Sequence, residues 1–242
     1  MRNYTLGPAI ETFGPNIRIT ALFAVGASFI CLIAFGVAHE TNDVTAWTIF
    51  LVVTALLGGA VLWQLSFRAA AHDTGVSSHN IFAAKEMRWH EIERVYFGCH
   101  ELHAHYFPLG TFYVLKLRSV HGQSLSLSNH IRRAEDLALL ISRYTLKPLL
   151  EKELQHFQSG QDISFDAIIL NSTEGLTLRK LLADKRISWN EIESYTADTS
   201  FFEIHLRKRV FSTHRIRAEK IANLHILKVL LDSVMQKVWM RV

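Results

Sequence analysis

Two long runs without a single charged side chain limit what this chain can become. From Ile19 to His39, and again from Val44 to Phe67, there is no Asp, Glu, Lys or Arg. A bilayer core about 30 Å thick takes about 20 apolar residues, at about 1.5 Å each in a helix. Both runs meet that length. A cleaved signal peptide is shorter than the first run, and it would not be followed by a second run after the polar turn Glu40–Asp43. The sequence therefore predicts a transmembrane hairpin with helices over 19–39 and 44–67, preceded by a cytoplasmic N-terminus over 1–18.

The basic residues set its direction. Of the 26 Lys and Arg residues only Arg2 and Arg18 precede the end of the second run, and Arg68 follows it directly. The turn between the runs carries Glu40 and Asp43 and no base. Basic flanks stay on the cytoplasmic side, so both termini are expected in the cytoplasm of a multi-pass protein of the inner membrane. Trp47 and Trp63 suit the two interfaces. Gly26, Gly36 and the pair Ala55/Gly59 are expected to pack one helix against the other, since small residues let backbones approach. Two cysteines, Cys31 and Cys99, are too few for a disulfide scaffold, and a charged fraction of 20% excludes a disordered chain.

Residues 68–242 carry 24 bases and 19 acids, and they contain a repeat. A shift of 100 aligns Gly75–Glu93 with Gly175–Glu193, with Gly75/Gly175, Ala83/Ala183, Lys85/Lys185, Trp89/Trp189 and the following Glu-Ile-Glu identical. Ile81/Leu181 and Phe82/Leu182 keep their apolar character. A smaller shift, 84, aligns Ser128–Leu137 with Ser212–Ile221, which makes the first copy the longer one between the two windows. Each copy reads as short antiparallel strands followed by an amphipathic helix. In the second copy a Gly175 turn precedes a strand, and Ile187 and Trp189 alternate on another. From Ala218 onward Ile221, Leu224, Leu227, Lys228, Leu231 and Val234 recur at helical spacing. In the first copy the closing helix runs from Arg133 to Leu154 with a break at Pro148, and Gln158–Gln161 is a linker. The domains are thus 68–157 and 162–242.

Gly175-Leu, Ile187-Ser-Trp-Asn-Glu-Ile192 and Ile221-Ala-Asn-Leu-His-Ile-Leu, behind a membrane hairpin, resemble an uncharacterised family of bacterial membrane proteins with tandem pleckstrin-homology-like (PH-like) domains. The resemblance covers about residues 66–240. It implies an α+β fold with membrane helices, in which a transmembrane hairpin precedes two small PH-like β-barrels, each closed by a C-terminal helix. Such folds host many activities, so it implies little about chemistry.

Candidate sites are few. Trp89 and Trp189 recur in both copies beside apolar alternation, which marks barrel core more than a ligand platform. Glu91 and Glu191 are expected to pair with Arg133 and Arg217, joining sheet to helix, and Ser128/Ser212 or the neighbouring residue to cap the closing helix. The extra length of the first copy falls around Cys99-His100-Glu101-Leu102-His103-Ala104-His105. On one strand Cys99, Glu101, His103 and His105 share a face that suits a transition metal, although no second ligand cluster accompanies it. The turns Asp73–Gly75 and Ser172–Gly175 contain no base, which counts against inositol phosphate there. The basic turn Arg207, Lys208 and Arg209 is the candidate contact for lipid or a partner. No phosphate-cradling glycine loop or nucleophile elbow is present. The expected role is a membrane-tethered, non-enzymatic interaction protein without a cofactor. It would present its domains to a protein partner, to itself or to anionic headgroups, and not to nucleic acid. The alternative is a metal-dependent or lipid-processing enzyme built on the Cys/His segment.

Overall fold

The computed structural model describes residues 6–41, 43–104, 107–128, 131–179, 183–207 and 213–239. These pack as two units, 1–86 with 129–134, and 87–128 with 135–242.

The first unit opens on a strand, β1 (Ala9–Phe13), before either apolar helix. The helices α1 (Ile17–Thr41) and α2 (Val44–Leu65) follow, with mean hydropathies of 2.4 and 2.1, and both are long and apolar enough to cross a membrane. Asp43 separates them by accepting the Thr45 N–H at 3.1 Å, the N-cap that a helix start favours. Their contact has a different composition from the expected one. The covered positions of α1 include Thr20, Ala24, Ala27, Cys31, Ala34 and Ala38, and those of α2 include Ala46, Phe50, Val53, Leu57, Ala60 and Gln64. Both series step by three and four, as a coiled-coil seam does. Gly26, Gly36, Ala55 and Gly59 face outward, and a Cβ added at any of the three glycines meets nothing within 4 Å. Alanines spaced for one seam make the close approach, and glycines off that spacing do not take part.

After α2 the chain enters β2 (Arg68–His72), which pairs antiparallel with β1: Phe13 faces Ala69 and Thr12 faces Ala70. Then β3 (Gly75–His79) and β4 (Ala84–Arg88) complete a four-stranded sheet in the order β1-β2-β3-β4. The two ends of the apolar hairpin are therefore hydrogen-bonded to each other in one sheet. Thr74 Oγ1 donates to Leu6 O at 2.8 Å and Arg133 pairs with Glu11 at 3.1 Å, which holds β1 further.

In the second unit β5 (Ile92–Ala104), β6 (Phe107–Ser119) and β7 (Ser124–Ser126) form a three-stranded sheet, followed by α3 (Ala134–Gln158). The same succession returns. β8 (Ile163–Ser164), β9 (Ile168–Asn171), β10 (Gly175–Leu178) and β11 (Lys185–Ser188) make four strands, and β12 (Ile192–Ala197), β13 (Phe201–Leu206) and β14 (Thr213–Arg217) make three. The helix α4 (Leu224–Trp239) ends it. The fold is α+β, built from open sheets: among the described residues no closed barrel forms. The reason is local. Between β4 and β5, and again between β11 and β12, Trp-x-Glu winds into one 3-10 turn, Trp89–Glu91 and Trp189–Glu191. The turn takes its own backbone groups out of the ladder, so each four-stranded sheet stops there and a separate three-stranded sheet begins. Glu91 and Glu191 serve that turn, accepting the N–H of Arg88 at 3.2 Å and of Ser188 at 3.0 Å, which replaces the expected pairing with Arg133 and Arg217.

The repeat also needs another register in its second window. Isolated bridges join Pro15 to Ile131 and Asp166 to Ile221, and the adjoining bonds are Arg132 N–H to Gly14 O and Ala222 N–H to Phe165 O. Ile131 thus corresponds to Ile221, a shift of 90 and not 84, so the first copy exceeds the second by less than the sequence alignment implies. The extra length lies in the β5–β6 hairpin, whose strands have 13 residues each against six in β12 and β13. With that register Ser128 stands well ahead of α3 and does not cap it, while Ser212 lies outside the described residues. α4 begins at Leu224, after a 3-10 turn over Ala218–Lys220, and α3 runs unbroken through Pro148, since one missing donor does not end a 25-residue helix.

One core serves β8–β14 and both helices. Phe165, Ile168, Leu170, Leu176, Phe202 and Ile204 are buried with Ile226, Leu227, Leu230 and Leu231 of α4, and Leu149 and Phe157 of α3 join them.

Candidate interaction surfaces

Cys99 illustrates how the long β5 is used. Its side chain is buried, with Sγ 3.0 Å from Thr199 Oγ1 and 3.2 Å from Ser200 Oγ, and its N–H donates to Thr199 O at 2.7 Å. The neighbouring His100 places Nε2 2.6 Å from Glu219 Oε2. The pairing register slips between Leu102 and His103, so simple alternation along β5 ends at that point. The side chain of His103, and His105 altogether, lie outside the described residues. Among the described residues no three His, Cys, Asp or Glu side chains are gathered to hold a metal. Cys99 and His100 bind protein groups of the second repeat.

They belong to a longer seam. Arg94 forms an ion pair with Asp166, and Tyr96 donates its hydroxyl to the other oxygen of that carboxylate. Asn223 accepts the Val95 N–H at 2.8 Å, donates from Nδ2 to Glu93 O at 2.9 Å, and donates its own N–H to Val95 O at 2.7 Å. Asp166 and Asn223 both have left-handed backbone, φ 62 and 50, which Asp and Asn tolerate better than most residues. Against Gly98 a Cβ would lie 2.8 Å from Glu219 N, so this close approach requires glycine. β5 is an edge strand of its sheet, and the second repeat covers it. The sequence reading missed these residues; an Asn directly before an apolar helical stripe was the available signal.

Arg207 is half-buried at the base of the basic turn, where its N–H donates to Glu191 O at 2.8 Å and its Nε to Ile192 O at 3.2 Å. Those bonds make it a brace for β13 against the Trp-x-Glu turn. Lys208 and Arg209 lie outside the described residues. Trp89 and Trp189 are buried, as expected of core. Trp189 Nε1 donates to Asn171 O at 3.1 Å, and Trp89 stacks on Tyr144 with ring centroids 4.8 Å apart.

Two clefts open on the second repeat. One, of about 470 Å³, lies between β12 and α4 and is lined by Tyr195, Lys228, Asp232 and Met235. There Tyr195 donates its hydroxyl to Asp232, and Lys228 Nζ donates to Ala197 O at 3.3 Å. Burial, and then the bond to Asp232, raise the Tyr195 hydroxyl well above its ordinary value, which keeps it a neutral donor to that carboxylate. The other, of about 270 Å³, lies at the Gly175 turn, where Asp162, Glu174 and Glu191 outnumber Arg186.

Compared with known families, residues 1–239 match the profile of a family of unknown function, DUF6585. No curated protein matches the chain.

Proposed function

Because this chain belongs to the DUF6585 family, whose function is unknown, we propose its role from its own geometry: a membrane-tethered, non-enzymatic interaction protein of the inner membrane. In this reading α1 and α2 span the bilayer, both termini lie in the cytoplasm, and the repeats over 68–157 and 162–242 are PH-like domains. They meet a protein partner, a second copy of the chain, or anionic headgroups. The observation that carries the reading is the pairing of β1 with β2. It ties the start of α1 and the end of α2 into one sheet, so a hairpin that crosses the bilayer twice returns to the side it left. Arg18 and Arg68 at those two ends, against Glu40 and Asp43 at the turn, favour the cytoplasmic side for the sheets. The four-plus-three strands and closing helix, repeated, support the PH-like description. Cys99 and His100 are engaged with Thr199, Ser200 and Glu219, which argues for architecture over chemistry in that segment.

Reporter fusions to the full chain test the reading. A reporter after Val242 should work only in its cytoplasmic form, a reporter within 40–43 only in its external form, and the protein should stay with membranes through alkaline carbonate. Release by carbonate, or an externally active C-terminal reporter, overturns it.

A further inference from the structure

The turn between β3 and β4 presents two large apolar side chains outward. Ile81 is 57% exposed and Phe82 79%, although the repeat keeps apolar residues at these positions as a core would. The turn is firmly built: Asn80 Oδ1 accepts the N–H of Phe82 and of Ala83, both at 2.9 Å, and the Asn80 N–H donates to Ala83 O at 2.9 Å. It is also fastened to the end of the second apolar helix. The Ile81 N–H donates to Ser66 Oγ at 3.2 Å, and Ser66, the residue directly after α2, donates its hydroxyl to Trp63 O at 2.6 Å. Trp63 and Phe67 stand edge to face there at 4.9 Å.

We propose that the Asn80–Ala83 turn is a membrane contact, in which Ile81 and Phe82 enter the lipid interface beside the exit of α2. The proposal rests on the reading of α1 and α2 as a bilayer-spanning hairpin, and deepens it by naming where the first sheet meets lipid. The bond to Ser66 sets the turn at the level where the span leaves the hydrocarbon, so the apolar pair and the span share one surface. Aromatic and aliphatic side chains are favoured at that depth, and the bonds to Asn80 Oδ1, Ala83 O and Ser66 Oγ occupy the four backbone N–H groups of the turn that would otherwise lose water on entering it. Arg68 and Lys85, both exposed, flank the turn and suit anionic headgroups around it. A water-facing turn gains nothing from two such apolar residues side by side.

The test uses the full chain in lipid nanodiscs and tryptophan emission with lipids brominated near the headgroup end of the acyl chain. In the unaltered protein Trp47 and Trp63 report on the hairpin itself. Phe82→Trp adds one indole at the turn, and Ile81→Trp is a second reporter should the first disturb the protein. The emission added by either variant should be blue-shifted and quenched by the brominated lipid. Added emission that is water-like and unquenched overturns the proposal. So does added emission that is blue-shifted yet unquenched, which marks a protein neighbour such as a second copy. If the unaltered protein shows no quenching by lipids brominated at any depth, the hairpin reading fails and takes the proposal with it.

Discussion

Trp189 combines a large apolar body with one satisfied polar atom, and both parts can be measured. Its ring is buried in the core that includes Ile187, Phe202, Leu227 and Leu231, and its Nε1 donates to Asn171 O. Trp189→Ala should cost about 3–5 kcal/mol, as truncation of buried aromatics does. Thermal melts of the full chain check this, and a shift of a degree or so sinks the core assignment. His225 offers a titration. Its Nε2 is buried without a hydrogen-bond partner among the described residues, and burial pushes the imidazole down to about 4 from 6.5. Between these values the unfolded chain binds more protons than the folded one, so stability rises with pH from about 4 to about 6.5. Above that window this group adds no dependence, and below it the loss is complete, about 3 kcal/mol in all. Denaturant midpoints across this range should show the slope, and His225→Leu should flatten it. An equal slope in the variant refutes the assignment.

Single strands and turns carry the next level of order. The edge strand β5 is held by Asn223, whose side chain satisfies Val95 N and Glu93 O together. Asn223→Ala leaves both groups unpaired and puts alanine at φ 50, a left-handed backbone that it tolerates less well, for a cost of about 2–4 kcal/mol. Hydrogen exchange at the Val95 amide should quicken more than exchange within β9 and β10; uniform quickening would mean a global effect and not a local latch. Gly98→Ala tests the same seam by crowding. Its Cβ meets Glu219 backbone, which cannot swing away as a side-chain tip does, so the cost is about 1–3 kcal/mol. Unchanged stability in that variant would show that the turn over Ala218–Lys220 yields freely.

The whole molecule is two rounds of one plan, four strands, three strands and a helix, with the apolar hairpin set between the first and second strands of the first round. That insertion explains why β1 precedes α1 and why its counterpart β8 follows α3. It also bears on where the second repeat can be cut. Leu149 and Phe157 of α3 are buried in the same core as β9 and α4. Burial of each is worth roughly 1.5–3 kcal/mol. A fragment 135–242 should therefore melt above a fragment 162–242, and equal melting temperatures would show that α3 adds nothing to this core.

Features set by neighbours in sequence are legible in the sequence alone. The charge-free runs show the two apolar helices, because helix length and apolarity are local sums. The three-and-four spacing of Leu227, Leu231 and Val234 shows α4, and the Gly before Leu176 marks a turn that needs φ of +139 with Ile187 O 2.0 Å from any Cβ. Even the seam of Ala24, Ala27, Ala34 and Ala38 is written at helical spacing, although the expectation rested on the glycines. Other features depend on a partner far along the chain. β1 is a short segment that becomes a strand only because β2 lies beside it, from the far end of both apolar helices. Open sheets replaced barrels because one 3-10 turn redirected the ladder, although Ile187 and Trp189 alternate as a strand would. The grip of Asp166 and Asn223 on β5, and the commitment of Cys99 to Thr199 and Ser200, are contacts between the two repeats. Periodicity records which face of an element is apolar. Hydrogen bonds between distant backbones, and the packing that excludes water from them, select the element it meets.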